Sequence, residues 1–314
     1  MIDLTNYKCR KGKPIGLPYQ GSKKKVSKRL FQFFLDNHHD FTFYDIFAGG
    51  LAMTAEAIIH NIPVKANIYD NHIVMILDYL YSDKYNMFDV LASREKFIQT
   101  RNKENKNGLD YAIMLINSFG NNFKNYLYNA EISNLKYSVA VEILEKYGTG
   151  KDYKQTDIYK RNENKLFSSD TKEKHKIIQS LSQLQQLSQL QQIIITSKEY
   201  RDIKINDKKA VVYLDPPYWG CNFNGYNSID FYEFVAWVKT IKARFIYISH
   251  YNNSLLDKHF GEPHIIFPKS KSTLQSGTSK NNKFECVYRI KSVYANYNDN
   301  NNQISLFDYE TASS

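Results

Sequence analysis

Asp215-Pro216-Pro217-Tyr218 is the segment of this 314-residue chain best equipped for chemistry. Two successive prolines fix φ twice and supply no N–H, so the Asp215 carboxylate and nearby carbonyls such as that of Pro216 offer acceptors into a rigid cleft. A rigid acceptor pair suits an amine. The exocyclic amine of adenine is a weak nucleophile because its lone pair is delocalised into the ring. Acceptors on both its hydrogens favour the tetrahedral geometry that frees the pair. Tyr218 then offers an aromatic face for the base. A second group begins at Phe47-Ala48-Gly49-Gly50, where glycines let backbone approach a nucleoside closely. Asp70, 20 residues beyond Gly50, is placed to accept both ribose hydroxyl hydrogens. Each short motif also has a plain structural reading: a strand-ending turn for Asp-Pro-Pro-Tyr, an ordinary loop for Gly49-Gly50, a helix N-cap for Asp70.

The elements around these residues alternate. Residues 41–47 (FTFYDIF) read as a buried strand entering the glycine turn, residues 51–60 as a helix broken by Pro63, residues 64–69 as a strand ending at Asp70, and residues 71–81 as an apolar-periodic helix. Such alternation argues for a parallel sheet with helices on its faces and right-handed crossovers. From about 83 to 180 the strand signal stops and the chain reads as helical or irregular, with residues 109–119 as a helix stopped by Gly120-Asn121-Asn122. Leu181, Leu184, Leu187 and Leu190 recur every three residues, a stripe suited to core packing or to a partner-binding face. Strands resume at 193–196 and at 210–214 (AVVYL), the latter running into Asp215. A helix at 230–241, a strand at 244–249, a short helix at 253–260 and a terminal hairpin of 264–267 with 284–290 complete the pattern, and the polar tail from 294 onward reads as loose.

Composition narrows the partners. Forty-two Lys and Arg against 32 Asp and Glu give a net charge of +10, which favours a polyanion such as nucleic acid. Three scattered cysteines, Cys9, Cys221 and Cys286, argue against a disulfide framework and a zinc site and point to a reducing cytoplasm. No apolar run approaches the ~20 residues that span a bilayer. His38, His39, His250 and His259 read as surface or loop residues without a metal constellation. Lys23, Lys24, Lys25, Lys28 and Arg29 read mostly as a solvated helix face, with phosphate contact as the alternative.

Four segments in order carry a resemblance: Pro18-Tyr19-Gln20-Gly21-Ser22-Lys23, Asp45-Ile46-Phe47-Ala48-Gly49-Gly50, Tyr69-Asp70, and Asp215-Pro216-Pro217-Tyr218. The chain resembles the Dam-like, alpha-group DNA adenine N6-methyltransferases, especially their phage and mobile-element members. That resemblance implies transfer of a methyl group from S-adenosylmethionine to the N6 amine of a flipped adenine in double-stranded DNA. A cofactor without phosphates agrees with the absence of a full Gly-x-Gly-x-x-Gly. By resemblance, Asp215, Pro216, Pro217 and Tyr218 are the catalytic set, and Tyr19, Lys23, Asp45, Phe47, Gly49, Gly50, Asp70 and Asp215 contact the cofactor. Cytosine C5 methylation would need a cysteine nucleophile in a Pro-Cys setting, which is missing. Cytosine N4 and protein glutamine methylation usually carry Ser or Asn where Asp215 stands. RNA adenine methylation and a non-catalytic DNA-binding specificity protein of the same fold stay open as alternatives.

The expected fold is therefore α/β: a Rossmann-like methyltransferase sheet of seven strands, mostly parallel with a terminal antiparallel hairpin, and an inserted, mainly helical recognition domain. Residues 1–82 and 181–293 form the expected catalytic domain, 83–180 the target-recognition region, and 294–314 a flexible tail. In that tail Gln303, Ile304, Ser305, Leu306 and Phe307 resemble the peptide by which partners bind the bacterial sliding clamp. The other reading is that these residues pack back on the domain or stay solvated.

Overall fold

The run Ala210-Val211-Val212-Tyr213-Leu214 dictates the centre of the molecule, because β-branched and aromatic residues without polar alternation make a strand that must be covered on both faces. The computed structural model describes residues 1–19, 21–127, 130–166, 176–190, 195–219, 229–271 and 283–291. All five side chains of the run are buried. Eight strands form one sheet: β1 (Ile2–Asp3), β2 (Thr42–Asp45), β3 (Val64–Asn67), β4 (Ile195–Thr196), β5 (Asn206–Leu214), β6 (Lys242–Tyr251), β7 (Ile265–Lys271) and β8 (Phe284–Lys291). Their order is β1-β7-β8-β6-β5-β2-β3-β4. Every neighbouring pair is parallel except the two that β8 makes with β6 and β7.

The expected hairpin is thus present, but the expected count of seven strands is corrected to eight. The additional strand, β1, is two exposed residues long and pairs with β7 through the Ile2 amide donating to the His264 carbonyl at 2.8 Å. A strand that short leaves no periodicity to read. The strand read at 41–47 is cut to Thr42–Asp45, because the chain turns once it has passed Asp45.

Alternation along the central strands sends side chains into two cores. Val211 and Tyr213 meet Phe43, Phe245 and Tyr247 on one face, under Leu30, Phe31 and Phe34 of α1 (Ser27–Asn37). Val212 and Leu214 meet Tyr44, Ile46, Ile246 and Ile248 on the other, under Phe234 and Val238 of α10 (Phe231–Thr240). Between α1 and α10 in the chain come α2 (Ala52–Ile59), α3 (Asn71–Leu80), α4 (Met87–Val90), α5 (Arg94–Asn102), α6 (Gly108–Ile116), α7 (Ala130–Tyr147), α8 (Asp157–Leu166) and α9 (Lys176–Ser188). After α10 comes α11 (Ser254–Phe260).

Helices α3 to α9 share a third core, and among the described residues from 83 to 180 none lies in the sheet. Leu181, Leu184 and Leu187 of α9 are buried in that core, each contributing roughly 1.5–3 kcal/mol of apolar burial. Helix α9 runs across the boundary expected between 180 and 181. Close packing of α6 on α3 depends on Gly108, where a Cβ would come within 2.1 Å of the Met75 carbonyl oxygen. No described helix is long and apolar enough to cross a membrane.

Two surface expectations are corrected. His38 is buried, its Nε2 2.7 Å from the Tyr247 hydroxyl, and burial followed by the nearby Arg244 and Arg289 pushes its pKa down to about 3. It follows α1 at the point where the aromatic core closes over the chain, so a polar residue type conceals a core position. His250, the other exception, belongs to the site below. The basic stretch 23–29 is likewise no open helix face, since only Lys25 is exposed while Lys28 and Arg29 donate to the carbonyls of Gly12 and Thr5. Residues 23–25 form a single 3-10 turn that redirects the chain before α1. The leucine at 190 is only partly buried. Cys9 and Cys286 are free thiols, whereas Cys221 and the stretch 303–307 lie outside the described residues.

Candidate active site

Strand order reverses between β2 and β5, because the chain leaves β2 for β3 on one side and leaves β5 for β6 on the other. A crevice opens beyond the carboxyl ends at such a point. Asp45 closes β2 and Asp215 follows β5, so two acids stand at its lip.

On the β3 side the structure brings together Tyr19, Gly49, Gly50 and Asp70. Asp70 caps α3, its Oδ1 accepting from the His72 amide at 3.0 Å, while its Oδ2 accepts from the Tyr19 hydroxyl at 3.3 Å. Capping and ligand binding are therefore compatible, since the carboxylate is still 33% exposed. Tyr19 lies directly on the glycine turn: a Cβ at Gly50 would fall 2.8 Å from the Tyr19 Cβ, and Gly49 sits at φ +44°. Only glycine fits there. Phe47 turns away from this group, packing on Tyr200 and Phe234 at ring-centroid distances of 5.7 and 6.2 Å.

On the β5 side Lys23 reaches in from the N-terminal turn. Its ammonium lies 2.8 Å from Asp215 Oδ1, 3.7 Å from Glu285 Oε1 and 4.6 Å from the centroid of the Tyr218 ring. The same Glu285 oxygen accepts from the Tyr218 hydroxyl at 2.5 Å and from the Ser249 hydroxyl at 2.6 Å. His250, next along β6, packs its ring on those of Tyr218 and Trp219, with centroids at 4.4 and 5.4 Å. Its Nε2 accepts the Trp219 amide at 2.9 Å while Nδ1 donates to the Tyr251 carbonyl at 2.8 Å. Burial pushes its pKa down to about 4, so it is a neutral support for the Tyr218 loop.

Charge is unbalanced in this pocket. Among the described residues Asp45, Asp215 and Glu285 face one ammonium, that of Lys23. Burial, opposed by Lys23 and reinforced by Glu285, pushes Asp215 up to about 6. Burial also lifts Asp45 to about 7 against two hydrogen bonds from Thr54, with the Asp215 charge adding to the rise. For Lys23 burial works against the charge, yet Asp215 and Glu285 prevail and raise its pKa. A ligand that brings positive charge relieves the excess of acid. Asp45 spends Oδ2 on the Thr54 amide and hydroxyl, fixing the start of α2 behind the glycine turn.

Glu285, Ser249 and His250 were not among the residues picked out for chemistry. A glutamate within the apolar run Phe284-Glu285-Cys286-Val287-Tyr288 was the available signal, because a charged residue seldom enters a buried strand without a partner. Among the described residues no cluster of three or more His, Cys, Asp or Glu could hold a metal.

Compared with known families, residues 19–255 match the D12 class N6 adenine-specific DNA methyltransferases. The chain belongs to this family. It matches none of the curated proteins compared with it. D12 class enzymes take the methyl group from S-adenosylmethionine. The crevice suits that cofactor: Gly49 and Gly50 leave room where a Cβ would collide, Asp70 keeps acceptor capacity for hydroxyls, and the acid excess matches a sulfonium and an ammonium. As a D12 class enzyme, the protein should lose roughly 1.5–3 kcal/mol of cofactor affinity on Asp70→Ala, the scale of a charge-assisted hydrogen bond. Calorimetry checks this, and an unchanged affinity would leave Asp70 with capping alone.

Proposed function

We propose that this adenine-specific DNA methyltransferase works by receiving a flipped adenine between Asp215 and Tyr218. The observation that carries the reading is the position of the Lys23 ammonium, an N–H donor 2.8 Å from the Asp215 carboxylate and over the Tyr218 ring. The cleft already holds an amine-like group between an acceptor and an aromatic face. An adenine amine entering there displaces Lys23 toward Glu285. Asp215 and the Pro216 carbonyl then accept its two hydrogens, Pro217 keeps the loop rigid, and Tyr218 stacks on the ring. The cofactor supplies a methyl group on sulfur as electrophile. Asp215 and the Pro216 carbonyl would aim the lone pair of the amine at that methyl carbon, and Asp215 would take the proton that the amine sheds on becoming methylated.

In this reading Tyr19, Lys23, Asp45, Phe47, Gly49, Gly50 and Asp70 line or support the cofactor crevice, and residues 83–180 read the target sequence. The net charge of +10 supports a duplex substrate, and the order of the motifs supports a Dam-like enzyme of phage or mobile-element type, acting in the cytoplasm. The test is transfer of labelled methyl to DNA followed by nucleoside analysis. All label should appear as N6-methyladenine in duplex DNA. Label in RNA, cytosine or protein would overturn the assignment, and methylation-sensitive sequencing of DNA from expressing cells would give the site. For the tail, deleting residues 303–307 should end co-purification with the sliding clamp while methylation of short duplexes persists. Continued co-purification would remove that partner.

A further inference from the structure

Neighbouring lysines in the 3-10 turn go to different places. Lys23 enters the reaction cleft, whereas Lys24 enters a cavity of about 260 Å³ between the N-terminal segment and α9. The Lys24 ammonium donates to Gln183 Oε1 at 2.8 Å and reaches the Gly16 carbonyl at 3.5 Å. Both partners are neutral. Lys13 and Lys25 stand exposed at the edge of the same cavity, Ser182 and Gln183 add polar groups, and among the described residues its lining contains no acid. Burial pushes Lys24 down to about 8, and no carboxylate among the described residues opposes it. Lys23 shows the contrast, since two carboxylates keep that buried ammonium charged.

A partly buried cation without a counter-charge costs stability, and a ligand that supplies the missing charge recovers that cost. We infer that this cavity is a subsite for a backbone phosphate of the DNA strand whose adenine enters the cleft. Lys24 lies at its base as the ion-pairing group, Lys13 and Lys25 guide the strand at the rim, and the Gln183 amide and Ser182 hydroxyl donate to the remaining oxygens. The inference rests on the proposed reading of the cleft, because Lys23 and Lys24 are consecutive and so tie the phosphate to the strand bearing the target base. It also couples the N-terminal turn to α9.

The test measures affinity of the whole protein for a non-specific duplex across a salt series, for the native protein, Lys24→Gln, and Lys13→Ala with Lys25→Ala. Losing one phosphate contact lowers the salt slope by about 0.9, equivalent to roughly eightfold weaker binding near 0.1 M salt. Lys24→Gln should show that loss with unchanged cofactor affinity and no fall in melting temperature, because an uncompensated charge is removed. The rim variant, whose exposed positions spare the fold, should show a parallel loss. Salt lines that superimpose for all three proteins would overturn the subsite. Titration with inorganic phosphate separates the sources: binding abolished by Lys24→Gln while the DNA slope stays unchanged would mark a free-anion site and overturn the DNA contact. A native protein that binds duplex steeply with salt and transfers no methyl group would instead sink the functional reading and leave this contact standing.

Discussion

Asp215→Ala should reduce methyl transfer by about 10³-fold or more, roughly 4 kcal/mol of transition-state stabilisation, while the protein stays folded and still binds DNA. The carboxylate acts on the amine as its lone pair is released, so its loss falls on kcat and not only on KM. Folding should tolerate the change, because the buried Asp215 is itself held with a raised pKa near 6. The same shift fixes a pH dependence. Asp215 is a strong acceptor for the amine when ionised and a weak one when protonated, so kcat/KM should fall as pH drops through about 6, whereas an ordinary aspartate would hold activity to about 4. Stopped or steady-state assays across pH check this. Near-normal turnover in Asp215→Ala, or an acid limb near 4, would remove the residue from its role.

A second large effect is expected at Tyr218, where two substitutions separate its functions. Tyr218→Ala removes the ring on which a base stacks, a loss of roughly 1–3 kcal/mol per base, and also the hydroxyl bound to Glu285. Activity should fall by about 100-fold, with KM for DNA raised. Tyr218→Phe keeps the ring and loses only the hydrogen bond to Glu285, worth about 1.5–3 kcal/mol when one partner is charged. Part of that loss should be recovered through Ser249 and Lys23, which still hold the Glu285 oxygen. The phenylalanine variant should therefore retain most of its DNA affinity. Equal defects in the two variants would mean that the hydroxyl, and not the aromatic face, is what the enzyme uses.

The parts of this architecture that could be read from sequence are those set by local pattern. Ala210 to Leu214 announces a doubly covered strand, Pro63 and the glycine turn mark element ends, and the triplet leucines declare a buried helix face. The meeting of Asp215, Tyr218 and Lys23, and of Tyr19 and Asp70, around one crevice could be expected as well, because each sits in or beside a short motif. What escaped depends on pairing across the sheet. Glu285 meets Tyr218 only because β8 inserts beside β6, and Ser249 and His250 matter only because that register places them against the Asp-Pro-Pro-Tyr loop. His38 escaped for the same reason, since its burial is decided by Tyr247 and Phe245, more than two hundred residues away. The packing of Phe47 was hidden in the same way, since the turn after β2 sets its ring against Tyr200 and against Phe234 of α10.

The insertion of β8 between β6 and β7 has a consequence for how the enzyme comes into being. Residues 19–255 match the family, yet the carboxylate that holds Tyr218 arrives only with Glu285. As the chain emerges from the ribosome, β6 and β7 cannot be joined, because the strand that belongs between them has not been made. Contacts of such long sequence separation form late and slowly. The cleft is thus assembled from Lys23 near the start, Asp215 in the middle and Glu285 near the end of the described chain. A nascent chain can hold all its signature residues and still present an unfinished pocket to the DNA around it.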